Sequence, residues 1–276
     1  NLIGGLSGDM LLSSFFDLGL DEKQLYEELK KIKGIDFNFE INKTRKLNLN
    51  ATHTNVRIKD TKKWNWADFY NTVKNSSLDS KIINNITKSL DILKWGEEMA
   101  HEEESPHLHE LGTSDTLIDI CGFFIAIDIL DIKQIFSSSI PVAPGHVTTS
   151  HGVHETLAPA TKKIVEKFRI PIRFVTNEQN IETITPTGIS ILASCAKFEQ
   201  ERIIFPDKFG LGAGTKDFGS LPNVVSLCIQ NEEPNDLIVS KKILLESNID
   251  DMSPEILGNF INLSLNEGAL DCWLTN

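Results

Sequence analysis

Apolar residues recur at helical spacing after Asp9, at Met10, Leu11, Phe15, Phe16 and Leu18, and Gly19 interrupts them before a second helical run from Leu25 to Ile32. The pattern predicts a helical hairpin. From Phe37 to Ile58 the period shortens to two, through Phe37, Phe39 and Ile41 and then Val56 and Ile58, which predicts paired strands turning at Asn48 to Asn50. Helices are expected over Trp66 to Lys74 and Ser80 to Glu104, the second ending before Pro106 because a residue preceding proline is pushed out of the helical region. A mostly buried helix follows from Asp115 to Leu130, capped by Thr113 or Ser114. A strand is expected over Ile135 to Val142, leading into a loop rich in proline and glycine.

Beyond that loop, helical patterns at Ala160 to Phe168 and Thr187 to Ala196 alternate with strand patterns at Ile172 to Val175, Val224 to Ile229 and Lys242 to Glu246, and a last helix opens after Ser253 and Pro254. Such interleaving predicts an α/β or mixed α+β fold, a mixed sheet with packed helices. Asn231 to Asp236 is the one linker-like stretch, so the expected division is residues 1–230 as one α/β domain and 231–276 as the start of a C-terminal region. The last apolar run stops at Asn276, just after Trp273, and reads as cut short.

Composition narrows the function. The chain has 276 residues, 40% of them apolar, and a net charge of -12, so no long basic surface is available to neutralise nucleic-acid phosphates. Four cysteines, Cys121, Cys195, Cys228 and Cys272, form no CxxC pair, which argues against a zinc ribbon or a disulfide framework and fits a reducing cytoplasm. The longest apolar stretch, Ile118 to Leu130, is too short for a membrane helix, which needs ~20 residues, and no signal peptide is visible. Cys121 sits within an apolar helical pattern and reads as an inert core thiol.

Six of the seven histidines fall between residues 101 and 154, interleaved with acids. Neutral imidazole and carboxylate hold borderline divalent ions such as nickel and zinc. His107 and His109 are two apart, so on an extended backbone both imidazoles project to one side and can chelate one ion, with Glu110 facing away. Asp115 and Asp119 are four apart near a helix start, positions from which they can orient the histidines or bind magnesium. His146, His151 and His154 add three imidazoles beside a run of hydroxyls. Gly4 to Asp9 precedes a helix whose amides can cradle an anion, with Asp9 repelling phosphate unless a cation lies between; Ser7 as a plain helix cap is the competing reading. Gly210 to Asp217 matches neither the Walker nor the dinucleotide pattern and reads as a tight loop. Asp250 and Asp251, side by side before a helix, are candidates for magnesium or substrate binding or for plain solvation.

Taken in order, GLSGDM at Gly5 to Met10, HLHELGTSDTLID at His107 to Asp119, His151-Gly152 with APAT at Ala158 to Thr161, TPTG at Thr185 to Gly188, Gly210 to Asp217 with Pro222-Asn223, ESNIDDMSPE at Glu246 to Glu255 and GALD at Gly268 to Asp271 resemble the nickel-insertion proteins of the LarC type over nearly the whole chain. The chain departs from the family pattern at Glu155 and Leu157, where prolines are usual, and at Asn1 to Gly4, which lacks an acidic strand end.

The resemblance implies a cytoplasmic chelatase that places Ni2+ into pyridinium-3,5-bisthiocarboxylic acid mononucleotide, coupled to CTP and to Mg2+ or Mn2+, with apo lactate racemase or a related enzyme as recipient and room for a homo-oligomer. In that scheme His107, His109, His151 and His154 handle the metal and Glu110, Asp115 and Asp119 are the catalytic acids. Ser7, Gly8, Asp9, Asp250 and Asp251 bind the cofactor. The alternatives are a nickel store or metallochaperone without turnover, and a metal-dependent hydrolase using a metal-bound water. The histidine proposal requires these imidazoles to share one pocket.

Overall fold

The structure is a computed structural model that describes residues 1–276 apart from 107, 109, 110, 150, 151, 156, 176–181, 200, 201, 231–241 and 276, with backbone alone at 147–149 and 152–155. The chain divides into two compact units, Asn1–Glu233 and Pro234–Asn276.

The first unit opens with α1 (Gly8–Leu18), which stops at Gly19 in the left-handed conformation, φ 98°, where the Gly19 and Leu20 amides donate to the Phe16 and Phe15 carbonyls. Glycine is favoured at this stop because it has no Cβ to strain. The second helix, α2 (Glu22–Leu29), is capped by Asp21. The strands β1 (Phe37–Lys46) and β2 (Leu49–Ile58) pair antiparallel in full register, from Phe37 opposite Ile58 to Lys46 opposite Leu49. The turn is thus Leu47-Asn48, one step earlier than expected, and Asn50 already belongs to β2. Helix α3 (Trp66–Lys74) has the capping box of Asn65 and Asp68, and α4 (Ser80–His101) ends at Glu102 in the left-handed region, a turn short of its expected end.

Helix α5 (Ser114–Ile129) is buried nearly throughout, as its continuous apolar pattern requires. The stretch expected as one strand over Ile135 to Val142 is two: β3 (Ile135–Ser137) and β4 (Ile140–Val142) pair in parallel with different partners, β8 (Ala196–Phe198) and β7 (Ile172–Phe174). Between them, Ser138 turns its hydroxyl to receive the Leu2 amide, so the chain leaves one pairing for the other. The hairpin β5 (His146–Thr149) and β6 (Gly152–Glu155) follows, then α6 (Pro159–Phe168) and α7 (Pro186–Cys195).

Of Gly210 to Asp217, expected as a tight loop, the first half is strand and residues 214–217 lie outside any strand. That first half lies in β9 (Lys208–Ala213), which pairs parallel with β2 and antiparallel with β10 (Val224–Ile229) in a sheet of order β1-β2-β9-β10. The reason is packing. A Cβ at Gly212 would collide with the Met10 carbonyl oxygen, and one at Gly210 would lie 2.7 Å from the Leu18 side chain, so the glycines let α1 lie directly on the sheet. On its other side α1 meets α5 through Phe15 and Phe123, 5.5 Å between ring centroids. Phe15 and Leu12 are fully enclosed, each burial contributing ~2 kcal/mol. The fold is mixed α+β, with helices covering a mixed sheet.

In the second unit, α8 (Pro254–Asn266) starts at Ser253, whose side chain accepts from the Ile256 amide. The strand expected at Lys242 to Glu246 does not form; residues 242–249 carry neither helix nor strand, and no strand pairs with them among the described residues. β-Propensity alone cannot sustain a strand without a ladder.

Candidate functional site

Three acids come together where α1 and α5 begin. Gly8 lies so close to Asp119 that a Cβ there would collide with the carboxylate, and Asp9 and Asp115 both act on the same group electrostatically. Asp119, on the second turn of α5, is only 6% exposed and its Oδ1 has no hydrogen-bond partner. Burial, then the charges of Asp115 and Asp9, hold its carboxyl well above the usual range. Asp115, in the first turn of α5, reaches solvent, yet the protein packed around it limits hydration and with the Asp9 charge pushes it up to about 6.

Asp9 is the best solvated by donors: its Oδ1 accepts a short hydrogen bond from the Ser7 hydroxyl and another, 2.9 Å, from the Met10 amide. Ser7 stands at the cap position of α1 with extended backbone but gives its hydroxyl to Asp9, so it does not cap, and Thr113 likewise makes no side-chain cap to α5. Ser7 thus holds the expected cap position with Asp9 in the first turn, but without a side-chain cap bond. At neither start does the side chain at the cap position bond a first-turn amide, although the Met10 amide of α1 donates to Asp9, and helix starts attract negative charge. The first turn of α7 joins them: a Cβ at Gly188 would lie 3.0 Å from the Ser7 Cα, and Thr185 caps that helix through the Gly188 amide at 3.1 Å.

The two ends of the histidine segment are held by residues that sequence reasoning passed over. Trp66 donates its indole N–H to the Pro106 carbonyl at 3.2 Å, and the Trp64 amide donates to the Gly112 carbonyl at 3.1 Å. The Trp64 indole bonds the Ser114 hydroxyl at 2.9 Å, which itself donates to the Asp60 carboxylate at 2.9 Å. The signal was present in Trp64-Asn65-Trp66: two buried indoles each need an acceptor, which the Ser114 hydroxyl and the Pro106 carbonyl supply.

His107, His109, Glu110 and His151 lie outside the described residues, and His154 is described by backbone alone, opposite Val147 in the β5–β6 hairpin. His146 is exposed at the start of β5, and the His101 ring lies 3.5 Å from Glu97 one turn back on α4. Asp250 and Asp251 are exposed in the second unit. Among the described residues no three His, Cys, Asp or Glu side chains gather tightly enough to hold a metal ion by themselves. Cys121 is fully buried and its thiol is pushed well up, and burial takes Cys195 up to about 12, so neither is a nucleophile. Among the described residues no helix is long and apolar enough to cross a membrane.

A model of the family described as nickel insertion protein matches residues 1–276. The chain belongs to the nickel insertion protein family. Relatives in this family include a putative nickel insertion protein of Dictyoglomus thermophilum, 35% identical over 275 residues, 98% of this chain and 70% of the relative. A pyridinium-3,5-bisthiocarboxylic acid mononucleotide nickel insertion protein of Staphylococcus epidermidis is 34% identical over 278 residues, 98% of this chain and 68% of its own, and one of Acetivibrio thermocellus is 31% identical over 284 residues, 98% and 69%. No solved structure matches the chain. Gly8, Asp119, Gly188, Gly212 and Asn223, each within a segment on which the resemblance was read, pack in the first unit around the start of α1.

Proposed function

We propose that this chain is a nickel chelatase that inserts Ni2+ into pyridinium-3,5-bisthiocarboxylic acid mononucleotide, the substrate carried in the names of its relatives. The observation that carries the reading is the family match over residues 1–276. His107, His109, His151 and His154 take up the ion and hand it to the thiocarboxylate sulfurs, softer donors that nickel also accepts. Glu110, Asp115 and Asp119 support the exchange, because each imidazole must be neutral to bind and releases or recovers a proton as the ion arrives and leaves. In the first unit Ser7, Gly8 and Asp9 bind nucleotide and its cation, with CTP as co-substrate and Mg2+ or Mn2+ as its counter-ion, and in the second unit Asp250 and Asp251 are separate candidates for cofactor binding. Apo lactate racemase or a related enzyme receives the product in the cytoplasm, and a homo-oligomer is the working assembly.

The test is to incubate the chain with nickel, CTP, magnesium and the bisthiocarboxylate mononucleotide and then assay activation of apo-racemase. Activation is expected. Tight nickel binding without activation would replace the chelatase by a nickel store. Changing His107 and His109 together to alanine is expected to weaken nickel binding at least about tenfold, ~1.4 kcal/mol. Unchanged calorimetric affinity in a folded double variant would remove these two residues from the scheme.

A further inference from the structure

A cavity of about 540 Å3 opens in the first unit where α6 meets the paired strands β4 and β7. Small-molecule sites have this size, with mostly apolar walls and a few placed polar groups. Leu157, Val165, Ile172 and Phe174 supply apolar wall here, and Lys162 and Glu166, four apart on one face of α6, add a cation and an anion at exposed positions. The strand β7 is oriented against the usual rule. Alternation puts Ile172 and Phe174 on one face and Arg173 on the other. The Arg173 guanidinium turns to the protein and donates to the carbonyls of Ser139 and Ile3, at 2.8 Å each, and to that of Leu2. These bonds hold the register, since a slip of one residue would expel the arginine and bury the apolar pair. Ile172 stays 41% and Phe174 76% exposed, on a face where a strand meeting only water carries polar residues.

We propose that this cavity binds a flat, cationic heteroaromatic ring with acidic substituents, a pyridinium carboxylate or thiocarboxylate. Phe174 and Ile172 lie against the ring, Glu166 answers the ring cation and Lys162 answers an acid group. A ligand of both signs matches the pair on α6, which a neutral ring or an apolar peptide would leave unmatched. An aromatic face also attracts a cation, which favours a pyridinium over an uncharged ring of the same shape. His146 lines the same cavity and opens β5, whose partner strand β6 carries His154, so a ring seated here lies beside the histidine hairpin. That the natural ring is the bisthiocarboxylate substrate rests on the nickel-insertion reading; the ring site does not.

Ligand-observed NMR titration of the full chain without nickel tests this with 1-methylpyridinium-3,5-dicarboxylate and benzene-1,3-dicarboxylate, which share ring and acid groups and differ in the ring cation. The pyridinium is expected to bind about fivefold tighter, and Glu166→Gln to erase that preference. Phe174→Ala is expected to weaken both ligands about tenfold, with far-UV circular dichroism unchanged because the residue is exposed. No saturable binding of either ring, equal affinities, or a preference kept by folded Glu166→Gln overturns the assignment, as does full affinity in folded Phe174→Ala. Sedimentation velocity covers the competing occupant: a dimer of the parent that Phe174→Ala dissolves would give this face to a second copy of the chain and overturn the ring site. Ring binding without activation of apo-racemase would strike the nickel reading alone. Activation that Phe174→Ala leaves untouched, with no ring bound, would strike the cavity alone.

Discussion

A carboxyl whose folded value is raised binds protons more readily in the native protein than in the unfolded chain. Stability therefore falls as pH rises between the two values. For Asp115 the window runs from the ordinary value near 3.8 to about 6, and Asp119, also raised, extends the same trend upward. In protein stripped of metal by chelator, the melting temperature is expected to fall between pH 4 and pH 7 by the contribution of these two groups. Asp119→Asn removes part of that slope and melts higher than the parent at pH 7, as calorimetric scans across pH would register. Equal slopes in parent and variant would mean that the Asp119 carboxyl stays near its ordinary value. Sequence alone placed Asp115 and Asp119 on one helical face, because a spacing of four is local geometry. It left Asp9 apart from them, since the approach of Gly8 to Asp119 is a tertiary contact between positions more than a hundred residues apart.

Helices were readable from sequence to within a residue or two, Trp66–Lys74 by its apolar face and capping box and Ser114–Ile129 by its continuous apolar run. The strand β9 was not, because what fits it to its place is the missing Cβ at Gly210 and Gly212, which in sequence looks like a loop. Gly212→Ala must push α1 off the sheet, and overpacking of this kind costs ~1–3 kcal/mol. A lower urea midpoint with unchanged slope is expected. Gly258→Ala is the contrast: a Cβ there meets nothing within 4 Å, and in the interior of α8 alanine gains ~1 kcal/mol of helix propensity over glycine. Its ellipticity at 222 nm should rise. Trp66→Phe keeps the ring but leaves the Pro106 carbonyl without its buried donor, a loss of ~1–3 kcal/mol. Because that bond anchors one end of the histidine segment, its nickel affinity is expected to drop as well, and a titration showing full affinity would separate the two effects.

At the scale of the whole molecule, a net charge of -12 draws every divalent cation toward the surface, so weak metal binding by itself distinguishes nothing. At ~0.15 M salt such attraction is screened beyond ~8 Å, and what remains reports on built sites. Donor chemistry then sorts them. Imidazoles prefer nickel strongly over manganese, following the order of divalent affinities, whereas a set of carboxylates with phosphate suits magnesium and manganese. Two sites of different chemistry predict two separable losses in the metal-binding titrations. Replacing His107 and His109 should weaken Ni2+ and leave the nucleotide-dependent Mn2+ binding intact, and Asp9→Asn should do the reverse. If one substitution abolished both, imidazoles and acids would form a single centre, and nickel itself would sit on the acids at the start of α1.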